Sequence, residues 1–206
     1  MLEYAEIRHI ARLFSSVVDA KSPFTATHSE RVAALARQLG VWMLLDDDTL
    51  DKLELAGLFH DLGKLRIPNA ILEKPGALTP AEQLTMRRHS FESYQILARV
   101  PGLEDVASWA AYHHEALDGS GYPYHLEANK LPLPARIIAI ADVFQALAQH
   151  RPYRASLTPD SILSELQHRT TLGQLDRQVV GLVKSHLDLC WQIARSDGSA
   201  MANEAG

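Results

Sequence analysis

His60 and Asp61 are adjacent and close an apolar stretch that runs into Leu62-Gly63-Lys64. A neighbouring imidazole and carboxylate can face one metal ion if the chain bends there, and the two oxygens of a carboxylate can bridge two ions. His28, His89, the pair His113-His114, and Asp142 are the other candidates. Together they offer five imidazoles and two carboxylates, a donor set suited to two ions of Fe, Mn or similar borderline metals rather than to thiolate-seeking ones. Asp142 stands in Ile138-Ala139-Ile140-Ala141-Asp142-Val143-Phe144, where a core carboxylate without a partner would be costly. Spacing alone does not bring these groups together. Taken singly, His28 and His89 read as surface or capping residues, and His113-His114 as one core and one surface residue. His9, His125, His150, His168 and His186 have no companion pattern and read as structural or exposed.

The elements that must position these groups have helical period. Ile7, Ile10, Leu13, Phe14, Val17 and Val18 form one apolar stripe at three-and-four spacing. A second helix is expected from Thr27 to Leu39, ended by Gly40. A third starts near Asp48 and carries Leu50, Leu53, Ala56, Leu58 and Phe59 into His60. Thr79-Pro80-Ala81-Glu82 is a capping box with proline at the first helical position, and Thr158-Pro159-Asp160 repeats the device. Further helices are expected over 103–116, 134–148, 159–169 and 176–193, so that every candidate ligand has a helical mount. Period-two alternation is missing. Two stretches rich in Pro and Gly, Leu65 to Leu78 and Leu117 to Pro134, each follow a His-rich helix end and are the places to look for binding loops. The expected class is all-α: an N-terminal helix over 1–20, one helical bundle over 21–195, and a small polar tail over 196–206 that reads as disordered.

The chain has 206 residues and a formal net charge of −5, which argues against a nucleic-acid polymer as partner. A small phosphate ester remains open to it if metal ions and a few cations meet the charge locally. No apolar stretch approaches the ~20 residues of a membrane span, and the N-terminus lacks the basic and apolar regions of a secretory signal. With Cys190 alone no internal disulfide can form, and the expected location is the cytoplasm.

His60-Asp61-Leu62-Gly63-Lys64, then His113-His114-Glu115 and Asp118-Gly119-Ser120-Gly121-Tyr122-Pro123, resemble the HD-GYP group of HD-domain metal-dependent phosphohydrolases. The stretches 67–76, 135–144 and Arg151-Pro152-Tyr153-Arg154 extend the likeness across about residues 20–185 in the same order. The resemblance implies an HD-domain helical bundle that hydrolyses cyclic di-GMP to the linear dinucleotide pGpG, to GMP, or to both. It implies two divalent ions, Fe or Mn first, with Ni or Co as alternatives. His28, His60, Asp61 and Asp142 would hold one ion, and His89, His113 and His114 the other, with Asp61 bridging. Some members hold a third ion through a glutamate where this chain has Phe24, so two are expected. Asp61 and Lys64 would be catalytic; Lys64, Tyr122, Arg151 and Arg154 would contact substrate. Ala116, Gln145, Ser93 and Leu175 depart from the usual pattern and leave rate, product and preference among cyclic dinucleotides open. The alternative is a degenerate domain that binds a cyclic dinucleotide or a partner protein without turnover. A homodimer or an upstream sensor domain is also left open.

Overall fold

The computed structural model describes residues 4–21, 27–150 and 155–195. Its helices are α1 (Tyr4–Lys21), α2 (His28–Trp42), α3 (Asp47–Phe59), α4 (Asn69–Leu72), α5 (Pro80–Leu97), α6 (Glu104–Ala111), α7 (Leu133–Ala148), α8 (Pro159–Thr171), α9 (Arg177–Ser185) and α10 (Leu187–Arg195). Two 3₁₀ turns, Leu62–Arg66 and Ala128–Lys130, lie in the connections. Among the described residues no strand forms; Asp118 and Glu127 make one isolated bridge. The all-α class is as expected. Phe24, the stretch 151–154 with Arg151 and Arg154, and the tail 196–206 lie outside the described residues.

Helix starts follow local chemistry. Asp46 accepts the Thr49 amide at 2.8 Å ahead of α3, and Asp176 accepts the amides of Gln178 and Val179 ahead of α9. Thr79 and Glu82 form the reciprocal capping box of α5. Thr158 caps α8 through the Ser161 amide, with no acidic partner to complete the box.

The core lies where α2 packs between α3 and α7. Leu35 and Leu39 of α2, Leu53 and Leu55 of α3, and Ile137, Ile138, Ile140 and Phe144 of α7 are fully enclosed. Because α7 is apolar on nearly every side, Asp142 and Gln145 are carried inside with it.

Four expectations are corrected. On α1 the stripe Ile10, Leu13, Phe14 and Val17 faces outward, with exposures of 41 to 58%. The buried face is Ala11, Ser15, Val18 and Asp19, because small residues let α1 approach α3 closely. Gly40 does not end α2. The helix runs through it to Trp42, and a Cβ at Gly40 would sit 2.8 Å from methyls of both Leu50 and Leu53. Leu44 takes the left-handed conformation of the turn instead, with φ 59°. The expected helix over 176–193 is two helices: His186 leaves helical dihedrals where its ring stacks on Trp42, centroids 4.1 Å apart. The apolar period runs on through that break, so the pattern does not mark it. Finally, α6 stops at Ala111, which puts His113 and His114 in the turn beyond it rather than on a helix.

Candidate metal centre

That early stop has a geometric reason. Consecutive helical residues point about 100° apart, so a continuous helix would aim two neighbouring imidazoles at different places. In the turn, the His113 and His114 rings lie 3.9 Å apart and reach the same site. After α3 the turn comes one residue later: His60 keeps helical dihedrals as the cap, and the chain leaves helical geometry at Asp61, with φ −95° and ψ 5°. Gly63 is obligatory at this point: a Cβ there would lie 2.0 Å from the His89 carbonyl oxygen. The 3₁₀ turn therefore presses directly on α5, and that contact brings His89 beside Asp61.

All seven sequence-derived candidates converge. His28 comes from the start of α2, His60 and Asp61 from the exit of α3, His89 from α5, His113 and His114 from the turn after α6, and Asp142 from α7. Their ligating atoms form three groups, each within 4.8 Å: His28, His60 and Asp142; His60, Asp61 and His113; His89, His113 and His114. His28 Nε2 is 3.2 Å from His60 Nε2 and 3.3 Å from Asp142 Oδ1. His89 Nε2 is 3.2 Å from His113 Nε2. Asp61 stands between the two sets, with Oδ2 3.3 Å from His60 Nε2 and Oδ1 3.3 Å from His89 Nε2.

The outer hydrogen bonds orient the rings. The Nδ1 of His60 donates to Gly57 O at 2.7 Å, that of His89 to Met86 O at 2.7 Å, and that of His113 to Ala110 O at 2.6 Å. His28 Nδ1 donates to Gln145 Oε1. With a proton on Nδ1, each ring turns its Nε2 to the centre, the arrangement that metal-bound histidines use. Lone pairs 3.2 Å apart, as on His89 and His113, repel unless a cation lies between them, and the proton between His28 and His60 marks a second such place, so the donor set fits divalent ions at both groups.

Electrostatics agree. Burial, then the neighbouring imidazole of His114, holds His113 well below the usual histidine range. Burial, then His89, brings His114 down to about 3. Burial lowers His89 more than Asp61 raises it. Those three rings are neutral at pH 7 and can offer lone pairs to an ion. His60 differs: burial opposes its charge, but Asp61 and then Asp142 outweigh burial and push it up to about 9. Burial alone would raise Asp61 and Asp142, yet Lys64 and His60 hold the first, and His28 and His60 the second, well below the carboxylate range.

Of the expected substrate contacts, Lys64 reaches the site and its Nζ is paired with Asp61 Oδ2. The Tyr122 ring packs on His114 at 4.8 Å, half-buried. Asp118 is a turn residue, accepting the Ser120 amide and hydroxyl. Gly121 allows the loop to close on Glu115 and Ala116, since a Cβ there would sit 2.4 Å from backbone atoms of both. Glu115 then accepts the Tyr124 and Leu126 amides at 2.6 and 3.0 Å.

Several positioning groups were not read from the sequence. Buried Asp19 accepts both the amide and the hydroxyl of Ser29, next to His28. Lys21 donates to the carbonyls of Lys64, Leu65 and Ile67. Ser93 accepts the Gly63 amide at 2.8 Å and donates to His60 O at 2.9 Å. Gln145 and Ser93 were visible only as departures from a pattern. Leu175, another departure, joins the core. Nothing in the structure explains alanine at 116. Asp19 left no signal, because the more obvious apolar stripe of α1 pointed elsewhere.

A family profile described as "HD domain" matches residues 12–179. The chain is 46% identical over 189 residues to the 3'3'-cGAMP-specific phosphodiesterase 1 of Vibrio cholerae, covering 92% of this chain and 44% of that protein. It is 36% identical over 167 residues to the cyclic di-GMP phosphodiesterase response regulator RpfG of Xanthomonas campestris, covering 80% and 44%. The chain thus spans less than half the length of these relatives. Bd1817, an HDG"Y"P protein of Bdellovibrio bacteriovorus, has the same fold, with a TM-score of 0.67 at 17% identity over 90% of this chain and 65% of that one. The V. cholerae cyclic GMP-AMP phosphodiesterase V-cGAP3 gives a TM-score of 0.70 at 16% identity over 93% and 51%. With its motifs in order and its seven donors gathered, this chain belongs to the HD domain family, in the HD-GYP group.

Proposed function

We propose that this chain is a metal-dependent phosphodiesterase that opens a cyclic dinucleotide at a binuclear centre. The observation that carries the reading is Asp61, one oxygen turned to each histidine group. His28, His60, Asp61 and Asp142 would hold one ion; His89, His113 and His114, with Asp61, the other; Fe or Mn suits these donors. Bound ions would lower the pKa of a water and neutralise phosphoryl charge in an in-line displacement. The chain's own residues do the rest. Asp61 fixes the separation of the two positions. Lys64, poised beside Asp61, offers its ammonium to a non-bridging phosphoryl oxygen, and Tyr122 walls the entrance against His114. Arg151 and Arg154 are assigned to the rest of the substrate by family resemblance alone.

The substrate we favour is a 3'3'-linked cyclic dinucleotide containing guanine. The mixed guanine–adenine compound stands beside cyclic di-GMP, because the relative named for it shares 46% identity and RpfG 36%. The complete donor set speaks for turnover over a binding-only domain.

Anaerobically purified protein with Fe(II) or Mn(II) should convert 3'3'-cGAMP or cyclic di-GMP to linear product by chromatography, while cyclic di-AMP is spared. Asp61→Ala should lose at least about 1000-fold in rate, since it removes the shared ligand of both ions. Turnover at the wild-type level in Asp61→Ala would refute the mechanism.

A further inference from the structure

Arg87 lies on the exposed side of α5, two residues before His89. Its guanidinium carbon sits 5.0 Å from the centroid of the Tyr122 ring. That ring packs on His114, whose donor atom belongs to the group with His89 and His113. The loop bearing Tyr122 is fixed by the Tyr122 amide on His114 O at 3.1 Å and by the Glu115 carboxylate. Arg87 is therefore held at the rim of the centre on a rigid aromatic support, a geometry that suits guanidinium better than ammonium.

Its charge is also unspent. The nearby arginines Arg66 and Arg88 both pair with Glu92, and Lys64 pairs with Asp61. Arg87 has no carboxylate partner among the described residues; its contact is the tyrosine face. A cyclic dinucleotide carries two phosphodiesters on opposite sides of its ring. When one is at the metal centre, the other lies away from it and still bears a negative charge. On a protein of net charge −5 that charge must be met locally.

We propose that Arg87, braced on Tyr122, is a substrate-binding residue that contacts the phosphodiester not being cleaved. This rests on the cyclic-dinucleotide reading above and adds a specificity element to it: the pair selects substrates with a second anionic group.

The test uses the Mn(II)-loaded full chain and two substrates. Cyclic di-GMP has two phosphodiesters; bis(p-nitrophenyl) phosphate has one and no second anion. Arg87→Ala should raise KM for cyclic di-GMP about 10- to 100-fold, the loss expected for a charge-assisted hydrogen bond. kcat for cyclic di-GMP and all hydrolysis of bis(p-nitrophenyl) phosphate should change less than about twofold, and Arg87→Lys should recover part of the loss. Arg88→Ala, which removes an equal charge from the same helix, should leave KM unchanged. Calorimetric binding of the hydrolysis-resistant bis-phosphorothioate of cyclic di-GMP reads the same contact without turnover. If neither substrate is hydrolysed but Arg87→Ala still weakens the analogue, the hydrolase reading fails and Arg87 stands. Unchanged analogue affinity in Arg87→Ala, an equal effect of Arg88→Ala, a parallel loss with bis(p-nitrophenyl) phosphate, or no binding by the wild type would each overturn the Arg87 assignment.

Discussion

At the scale of single residues, the centre depends on groups that never touch a metal. Gln145 is buried, and its Oε1 takes the Nδ1 proton of His28, leaving Nε2 free to face His60 and Asp142. The other Gln145 amide atom, Nε2, is buried with no partner. A glutamine accepts this bond without adding a charge beside the ring, as a carboxylate at this position would. Gln145→Ala would leave the His28 ring free to turn and its Nδ1–H unsatisfied. We expect metal affinity at the His28, His60 and Asp142 group to fall about 10- to 100-fold, as for other outer partners of metal-bound histidines. Titration against a competing chelator would measure it. An unchanged affinity would mean that packing, not this bond, sets the ring.

At the scale of elements, the contact between the 3₁₀ turn Leu62–Arg66 and α5 decides whether the two halves of the site meet. Gly63 permits the approach and Ser93 locks it, bridging the Gly63 amide and the His60 carbonyl. Ser93→Ala removes both bonds from a buried place, and an unsatisfied buried amide costs about 1–3 kcal/mol. Urea unfolding should show a loss of that size, with weaker metal retention; a stability equal to wild type would show that the turn holds without Ser93, through its own backbone bonds and Lys21. How much of this was legible follows from the same physics. Helix existence followed from the three-and-four period, and the capping chemistry at Thr79 and Thr158 marked true starts. The seven candidate donors could be named because motif order carried them, whereas their convergence depends on helix packing that no local pattern encodes. Helix ends were the weak point. The stop after Ala111 and the break at His186 are set by a tertiary demand, two histidines reaching one site and a ring stacked on Trp42. Gly40 looked like a terminator because glycine also serves close helix packing, and only the neighbouring leucines distinguish the two uses. On α1 the larger apolar residues suggested the buried face, yet the small ones define it.

At the scale of the whole molecule, the donors come from α2, α5 and α7 and from the turns after α3 and α6, so ions at the centre would cross-link most of the core. Binding to the folded state alone stabilises it by about 2.7 kcal/mol at a hundredfold excess over Kd. For a chain of this size each kcal/mol moves Tm by about 2–4 °C, so Mn(II) should raise Tm by roughly 5–10 °C and a chelator should reverse it. The size of this shift should depend on pH, and its sign follows from His60. Without metal His60 is raised from 6.5 to about 9, so its proton stabilises the fold fully below pH 6.5, and that contribution is lost as pH climbs through 9. His89, His113 and His114 are shifted down, and Asp61 and Asp142 are held below the carboxylate range, so above pH 6.5 they add no competing proton. A metal ion therefore displaces one proton at His60 below pH 9. Its affinity should rise up to tenfold per pH unit, about 1.4 kcal/mol. Between pH 6.5 and 8.5 the Mn(II)-induced rise in Tm should grow by about 3–5 °C per pH unit, read by calorimetry at constant free metal. His60→Ala should abolish the trend along with the metal it competes for. A metal-induced shift that is flat over this range would mean that His60 is already neutral in the folded protein, and that Asp61 and Asp142 are balanced by Lys64 rather than by a proton waiting to leave.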